Sequence, residues 1–107
     1  MIVVTTPDVP GMRIVQTLGL VRGNTIRTRH VGRDILAALR NLAGGEIREY
    51  TKMMAETREQ AIDRMVEEAE ALGADAVVMV RFQTVEMMRG AAEMLCYGTA
   101  VRLERMA

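Results

Sequence analysis

Residues 73–84, which decide the fold, read GADAVVMVRFQT. Gly73 ends the helical pattern before it, and the β-branched residues that follow predict a strand over 76–84. Because positions 77–80 are all apolar, we expect this strand to be buried on both faces. A further strand is predicted over 93–103, after a loop around 87–90. The two strands are expected to form an antiparallel pair.

The segment before Gly73 has helical periodicity, with one apolar stripe over residues 46–72. As one helix it would be about 40 Å long, well beyond the compact radius of about 13 Å expected for this chain length. Thr57 opens a capping-box pattern with Gln60, so a break near Thr57 is predicted. A shorter helix is predicted from Gly32 to Leu42, ending at Gly44.

The N-terminal third favours strands. Residues 2–5 are typical of a short edge strand or arm, stopped by Pro7 and Pro10. Residues 12–30 are interrupted at Gly19 and Gly23, which leaves open one long bent strand or a hairpin. The result is a single α+β domain over 1–107 with about three principal strands. Both edges of so small a sheet could pair with other chains, so we expect a homo-oligomer.

The composition excludes several classes of function. Hydrophobic residues make up 50% of the chain, and 14 basic residues balance 14 acidic ones, so no net charge attracts nucleic acid or a membrane surface. Aromatic residues are only 3%, which excludes base-stacking platforms. The apolar run at 2–4 is too short for a signal peptide or a membrane span. We expect a cytoplasmic protein, and a single cysteine agrees with a reducing compartment.

Four stretches match one known family in order and spacing. They are HVGRDI at 30–35, GGEI at 44–47 with Tyr50, GADAV at 73–77 and YGTAV at 97–101. With them the chain resembles the YbjQ-like family of uncharacterised bacterial and archaeal proteins, for which heavy-metal binding has been suggested. The resemblance covers nearly the whole chain. It implies a two-layer, dodecin-like α+β subunit, a small antiparallel sheet packed against helices, assembled in a homopentameric ring. It implies no reaction.

The resemblance implies metal binding, but the sequence contains few of the usual metal ligands. His30 and Cys96 are the candidate metal ligands, and no Cys-x-x-Cys or His-x-x-x-His pattern occurs. A site would arise where copies of these residues converge on a ring axis or meet a neighbour's carboxylate. A buried, apolar role is favoured for Cys96. Met87, Met88 and Met94 surround one hairpin and could bind Cu(I), but packing or an apolar loop contact is the favoured explanation.

A basic cluster is the candidate site for another ligand. Four arginines and the single histidine fall within twelve residues: Arg22, Arg27, Arg29, His30 and Arg33. Guanidinium groups suit phosphate or carboxylate, and the predicted helix after Gly32 could add backbone donors. The alternative is a set of ion pairs between subunits with the acid-rich helix, which suits head-to-tail contact. The candidate residues for a ligand at subunit boundaries or in the axial opening are Arg29, Arg33, Asp34 and Glu46.

The sequence contains no recognisable set of catalytic residues. Serine is absent and His30 is the single imidazole, which excludes a serine hydrolase. A Cys96–His30 nucleophile pair would need both side chains to face one cavity. We therefore expect a non-enzymatic binding protein for a metal ion or small ligand. A structural or interaction protein is the second hypothesis, and an enzyme of unknown type is the third.

Overall fold

The computed structural model describes residues 1–27, 45–88 and 91–106. These residues form four strands and one helix in the order β1 (Ile2–Val3), β2 (Met12–Arg27), α1 (Gly45–Ala71), β3 (Ala76–Met88) and β4 (Ala91–Arg105). The predicted α+β class is confirmed. The helix predicted from Gly32 to Leu42 lies outside the described residues.

The strands form one sheet in the order β1-β3-β4-β2. Strands β3 and β4 pair antiparallel, as predicted, and β4 also pairs antiparallel with β2. β1 pairs with β3 in parallel, so the sheet is mixed and has four strands, whereas the sequence predicted three principal strands in an antiparallel sheet. The short edge strand predicted within residues 2–5 is confirmed as β1, at one edge of the sheet, and only its parallel pairing was not predicted.

Strand β2 settles the open choice between a bent strand and a hairpin. It is one strand of 16 residues, irregular between Ile14 and Gln16 and again between Thr17 and Gly19. Gly19 has φ 117°, a conformation that glycine adopts without steric cost. These bulges bend β2 without ending it.

Helix α1 runs for 27 residues without interruption, so the predicted break near Thr57 is wrong. Thr57 is buried inside the fold. Tertiary packing therefore keeps the helix continuous here, although the local sequence has a capping-box pattern. The predicted end of this helix at Gly73 is confirmed. Gly73 has φ 78°, its N–H donates to the Glu70 carbonyl, and the Ala74 N–H donates to the Ala69 carbonyl, which is a Schellman motif.

The main core lies between α1 and the sheet. The helix packs mainly on β2 and β4 and scarcely reaches β3. The helix contributes Ala61, Met65 and Ala69, and the strands contribute Val21, Val77, Val80, Met94, Cys96 and Ala100. Gly23 permits the close approach of α1, and Gly98 leaves room for the valine side chains of β3. A Cβ on Gly23 would overlap the backbone of Ala61 and Met65, and one on Gly98 would lie 2.7 Å from Val77 Cγ1.

A second apolar cluster covers part of the outer face, which we define as the sheet face opposite α1. Ala76, Val78 and Val101 are buried there, and Val4 and Val9 of the N-terminal segment pack on them. Of the residues 77–80, which were predicted to be buried on both faces of the strand, Val77, Val78 and Val80 are buried. The N-terminal segment of the same chain covers the outer face at this point. Met79 is the exception. It lies in a bulge with φ 56° and is exposed, because the extra residue turns its side chain out of the core.

Candidate functional site

The sequence-predicted site residues fall in different parts of the chain. Arg29, His30, Arg33 and Asp34 lie outside the described residues, so their roles stay predictions. Glu46 lies in the first turn of α1, at the start of the helical segment predicted over 46–72, and its side chain is outside the described part. Cys96 is fully described and is the predicted residue from which a site can be built.

Cys96 lies in the middle of β4 and points toward α1. Its register partners are Gly23 on β2 and Phe82 on β3. The side chain is fully buried, as expected from its place in an apolar strand. Its thiol donates to the Met65 thioether, with Sγ and Sδ 3.6 Å apart. Burial raises the pKa of the Cys96 thiol to about 11, because the thiolate would lose its hydration.

Met94 supplies a second thioether to the same side of β4. It lies two residues before Cys96, is buried in the same cluster, and accepts a hydrogen bond from the Thr84 hydroxyl at 3.4 Å. Met87 and Met88 belong to β3, but Met94 pairs with Thr84, four residues back from Met88. Met94 therefore faces the core, on the same side of β4 as Cys96.

Thr25 is the buried polar side chain of β2 that faces the same core. It pairs with Met94 across β2 and β4, and it faces α1 as Val21 and Gly23 do. Only 3% of the residue is exposed, and its hydroxyl has no hydrogen-bond partner. A buried hydroxyl without a partner costs about 1–3 kcal/mol. No sequence pattern singled out Thr25, because its burial depends on α1 crossing β2.

Hard-metal ligands do not gather in the part of the chain that the structure describes. No group of three or more His, Cys, Asp or Glu side chains is found among residues 1–27, 45–88 and 91–106. The described fold does bring the Cys96 thiol and the Met65 thioether into contact, and Met94 belongs to the same buried cluster. Sulfur ligands of this kind select soft cations.

Arg22, the member of the predicted basic cluster whose side chain is described, lies on the opposite side of the sheet from the acidic residues of α1. Six acidic residues in the part of α1 whose side chains are described are exposed: Glu56, Glu59, Asp63, Glu67, Glu68 and Glu70. Arg22 lies on the outer face, opposite Tyr97, in a shallow depression that Asn24, Glu93 and Leu95 also line. Because the sheet separates them, Arg22 cannot pair with the acidic helix of its own subunit.

Comparison with known proteins gives the family. A model described as "Putative heavy-metal-binding" for YbjQ proteins matches residues 1–104. The chain belongs to the YbjQ family. The resemblance drawn from the four sequence stretches is therefore confirmed.

Relatives within the YbjQ family come from bacteria and archaea, and those compared here are each named UPF0145 protein. The chain is 55% identical over 105 residues to one from Thermosipho africanus, covering 98% of this chain and 97% of the relative. It is 61% identical over 98 residues to one from Halorubrum lacusprofundi, covering 92% and 94%. A third, from Archaeoglobus fulgidus, is 58% identical over 102 residues, covering 95% and 94%.

A solved structure supports the fold of this YbjQ member. It is a protein of unknown function from Pediococcus pentosaceus, assigned to the DUF74 family, with a TM-score of 0.63 and 18% identity. The match covers 97% of this chain and 98% of that one. None of the helices in the described residues is long and apolar enough to cross a membrane.

Proposed function

We propose that this YbjQ-family protein is a homo-oligomeric binding protein that takes up a soft heavy-metal ion. The observation that carries the proposal is the contact between Cys96 Sγ and Met65 Sδ, 3.6 Å apart in the core. A thiol beside a thioether is a donor set for soft cations. We propose binding rather than catalysis, because the Cys96 thiol is buried and protonated, which makes it a poor nucleophile at neutral pH.

Self-association is supported by the shape of the subunit. Its radius of gyration is 17.2 Å and its extents are 57 × 28 × 18 Å. A compact chain of this length has a radius of gyration of about 13 Å. The excess reflects the long β2–β4 and β3–β4 ladders and the unbroken α1. An elongated subunit of this size exposes more apolar surface than a compact monomer.

The sheet supplies surfaces that a second copy would cover. β2 is an edge strand of 16 residues, and long unpaired edges readily accept another strand. On the outer face beside this edge, Leu20 is 62% exposed and Ile26 is 49% exposed. Head-to-tail contact would also bring Arg22 of one subunit toward the acidic α1 of the next. A homopentameric ring remains our expectation for the assembly, from the family resemblance.

The site at subunit boundaries is a separate part of the proposal. Arg29, Arg33, Asp34 and Glu46 are proposed to hold a ligand there, with His30 as a candidate metal ligand. Cys96 is not proposed to meet its copies on a ring axis, because α1 and the sheet enclose it within one subunit.

The test combines native mass with elemental analysis on untagged protein purified without chelator. We expect a single closed oligomer that retains or takes up a stoichiometric soft metal. The variants Leu20→Glu and Ile26→Glu are expected to dissociate it. Leu72→Glu is the matched control, since Leu72 is equally exposed but lies beyond the end of α1. A monomeric wild type would overturn the oligomer, and failure to bind any soft cation would overturn the metal role.

An interaction protein without a small ligand is the second candidate. Phe82 favours it, because this aromatic side chain lies on the helix-facing side of β3 where α1 does not reach, and it is 45% exposed. Large exposed aromatic side chains are enriched in protein interfaces. Phe82→Ala would then abolish co-purification of a protein partner without changing metal content.

A further inference from the structure

Three side chains of the main described core carry sulfur, Cys96 and Met94 of β4 and Met65 of α1, and we call these three residues the sulfur cluster. Cys96 and Met94 are two residues apart and lie on the same side of the strand. Met65 approaches from the helix and touches the thiol. All three side chains are buried, so whatever they bind is bound within one subunit.

The spacing of two of these sulfur atoms suits a shared metal ion. Metal–sulfur bonds in tetrahedral protein sites are about 2.3 Å long. Two sulfur atoms 3.6 Å apart, each about 2.3 Å from one ion, subtend about 100° at that ion, close to the tetrahedral angle. The thiol and the thioether therefore already have the separation of two ligands of one metal. The flexible side chain of Met65 can turn to admit an ion.

Thr25 is an independent sign of an incomplete site. Its hydroxyl is buried, lies across from Met94 on the same side of the sheet, and has no partner. A hydroxyl can donate a hydrogen bond to a thiolate, which is a stronger acceptor than a thiol. Ionisation of Cys96 on metal binding would supply the acceptor that Thr25 lacks.

Charge balance decides which cation fits. On binding, the Cys96 thiol releases its proton to solvent and a metal–sulfur bond forms, so a monovalent cation and one thiolate leave no net charge in the core. A divalent cation would leave one uncompensated positive charge, which is costly in an apolar interior. The buried polar side chains in the described residues are those of Thr25 and Thr57, and neither is anionic.

We propose that each subunit carries an internal site for a monovalent soft cation, Cu(I) or Ag(I), with the Cys96 thiolate and the Met65 and Met94 thioethers as ligands and the Thr25 hydroxyl supporting the thiolate. This inference rests on the proposed metal-binding function and adds the site, the charge of the ion and a stoichiometry of one ion per chain. Because a proton must leave, the apparent association constant rises about tenfold per pH unit.

The test uses Ag(I), which stays monovalent in air, with native mass spectrometry and competition titration on the intact oligomer. We expect the wild type to bind one Ag(I) per chain and no stoichiometric Zn(II). Cys96→Val should remove the binding, and Met65→Leu should weaken it tenfold or more. Both replacements keep the core apolar and nearly conserve volume. Met12→Leu is the matched control, a partly buried methionine outside the cluster that should change nothing.

The outcomes separate this site from the broader proposal. If Ag(I) binds the wild type but Cys96→Val and Met65→Leu bind it equally well, the internal site is wrong and the metal-binding function stands. If no soft cation binds the wild type, both are wrong. Equal binding of Zn(II) and Ag(I) at Cys96 would overturn the charge argument. If Cys96→Val does not fold, Met65→Leu alone decides on the internal site: binding weakened tenfold or more supports it, and unchanged binding overturns it.

Discussion

Replacing Gly23 by alanine tests the contact between α1 and β2 most directly. The added Cβ would overlap the Ala61 carbonyl oxygen and the Met65 amide nitrogen, and would lie 2.9 Å from Arg64 Cβ. Two of these three atoms belong to the helix backbone, so no rotamer change relieves the overlap. The helix has to move away from the sheet.

The expected cost is large for a single methyl group. Overpacking a core usually costs about 1–3 kcal/mol and sometimes more. Moving α1 also separates Ala61 and Met65, both fully buried, from the strands they contact. We therefore expect Gly23→Ala to lower the free energy of unfolding by about 3 kcal/mol or more. For a domain of this size that loss corresponds to a fall of roughly 12–24 °C in Tm.

The assay is urea and thermal unfolding at one fixed protein concentration, because assembly would contribute to apparent stability. Gly11→Ala is the matched control. Gly11 has φ 81° and no atom within 4 Å of its added Cβ, so the change costs only the left-handed backbone strain of about 1–2 kcal/mol. If Gly23→Ala unfolds at the urea concentration of the wild type, or above that of Gly11→Ala, the packing of α1 on β2 is wrong.

Three other predictions concern single side chains. Thr25→Val removes the unpartnered hydroxyl at nearly constant shape and should raise the free energy of unfolding by about 1–2 kcal/mol; a lower urea midpoint would contradict the burial of that hydroxyl. The native state keeps the Cys96 proton up to a pKa of about 11, whereas the unfolded thiol titrates near its ordinary value of 9.0, so native-state stability falls as pH rises between the two values. The expected total loss is about 2–3 kcal/mol relative to Cys96→Val measured over the same range, and parallel pH profiles for the two proteins would refute it. Asp75→Ala removes the acceptor for the Leu103 N–H, 2.8 Å away, and should cost about 1 kcal/mol, while Asp75→Asn keeps an acceptor and should recover most of that loss in the same unfolding titration.

The sequence predicted the strands of the C-terminal half well, because each had both a periodic pattern and a clear boundary. Gly73 ended α1 where expected, and β3 and β4 paired as expected, although each is longer than predicted by a few residues. Strand ends are decided by their partners. β3 and β4 extend beyond their predicted ends because they remain hydrogen-bonded to each other as far as the short connection between them.

The candidate site was predicted only in part. The sequence singled out Cys96 and favoured its burial, which is confirmed. It grouped Met94 with Met87 and Met88, but register places Met94 beside Cys96 on the core side of β4. Met65 lies in the apolar stripe predicted over 46–72, and nothing in that stripe indicated which strand residue it would touch. Thr25 was missed because an unpartnered hydroxyl has no signature in a sequence.

Local patterns in the sequence determined which residues form strands and helix, because backbone preferences and apolar periodicity act over a few neighbouring residues. Those patterns also determined the family, through four short stretches in order. The tertiary structure alone decided that α1 continues through Thr57, that the N-terminal segment covers Val78, and that Met65 contacts Cys96 across 31 residues of chain. These features depend on register and on the close approach that Gly23 permits, and both are properties of elements packed together rather than of any one segment.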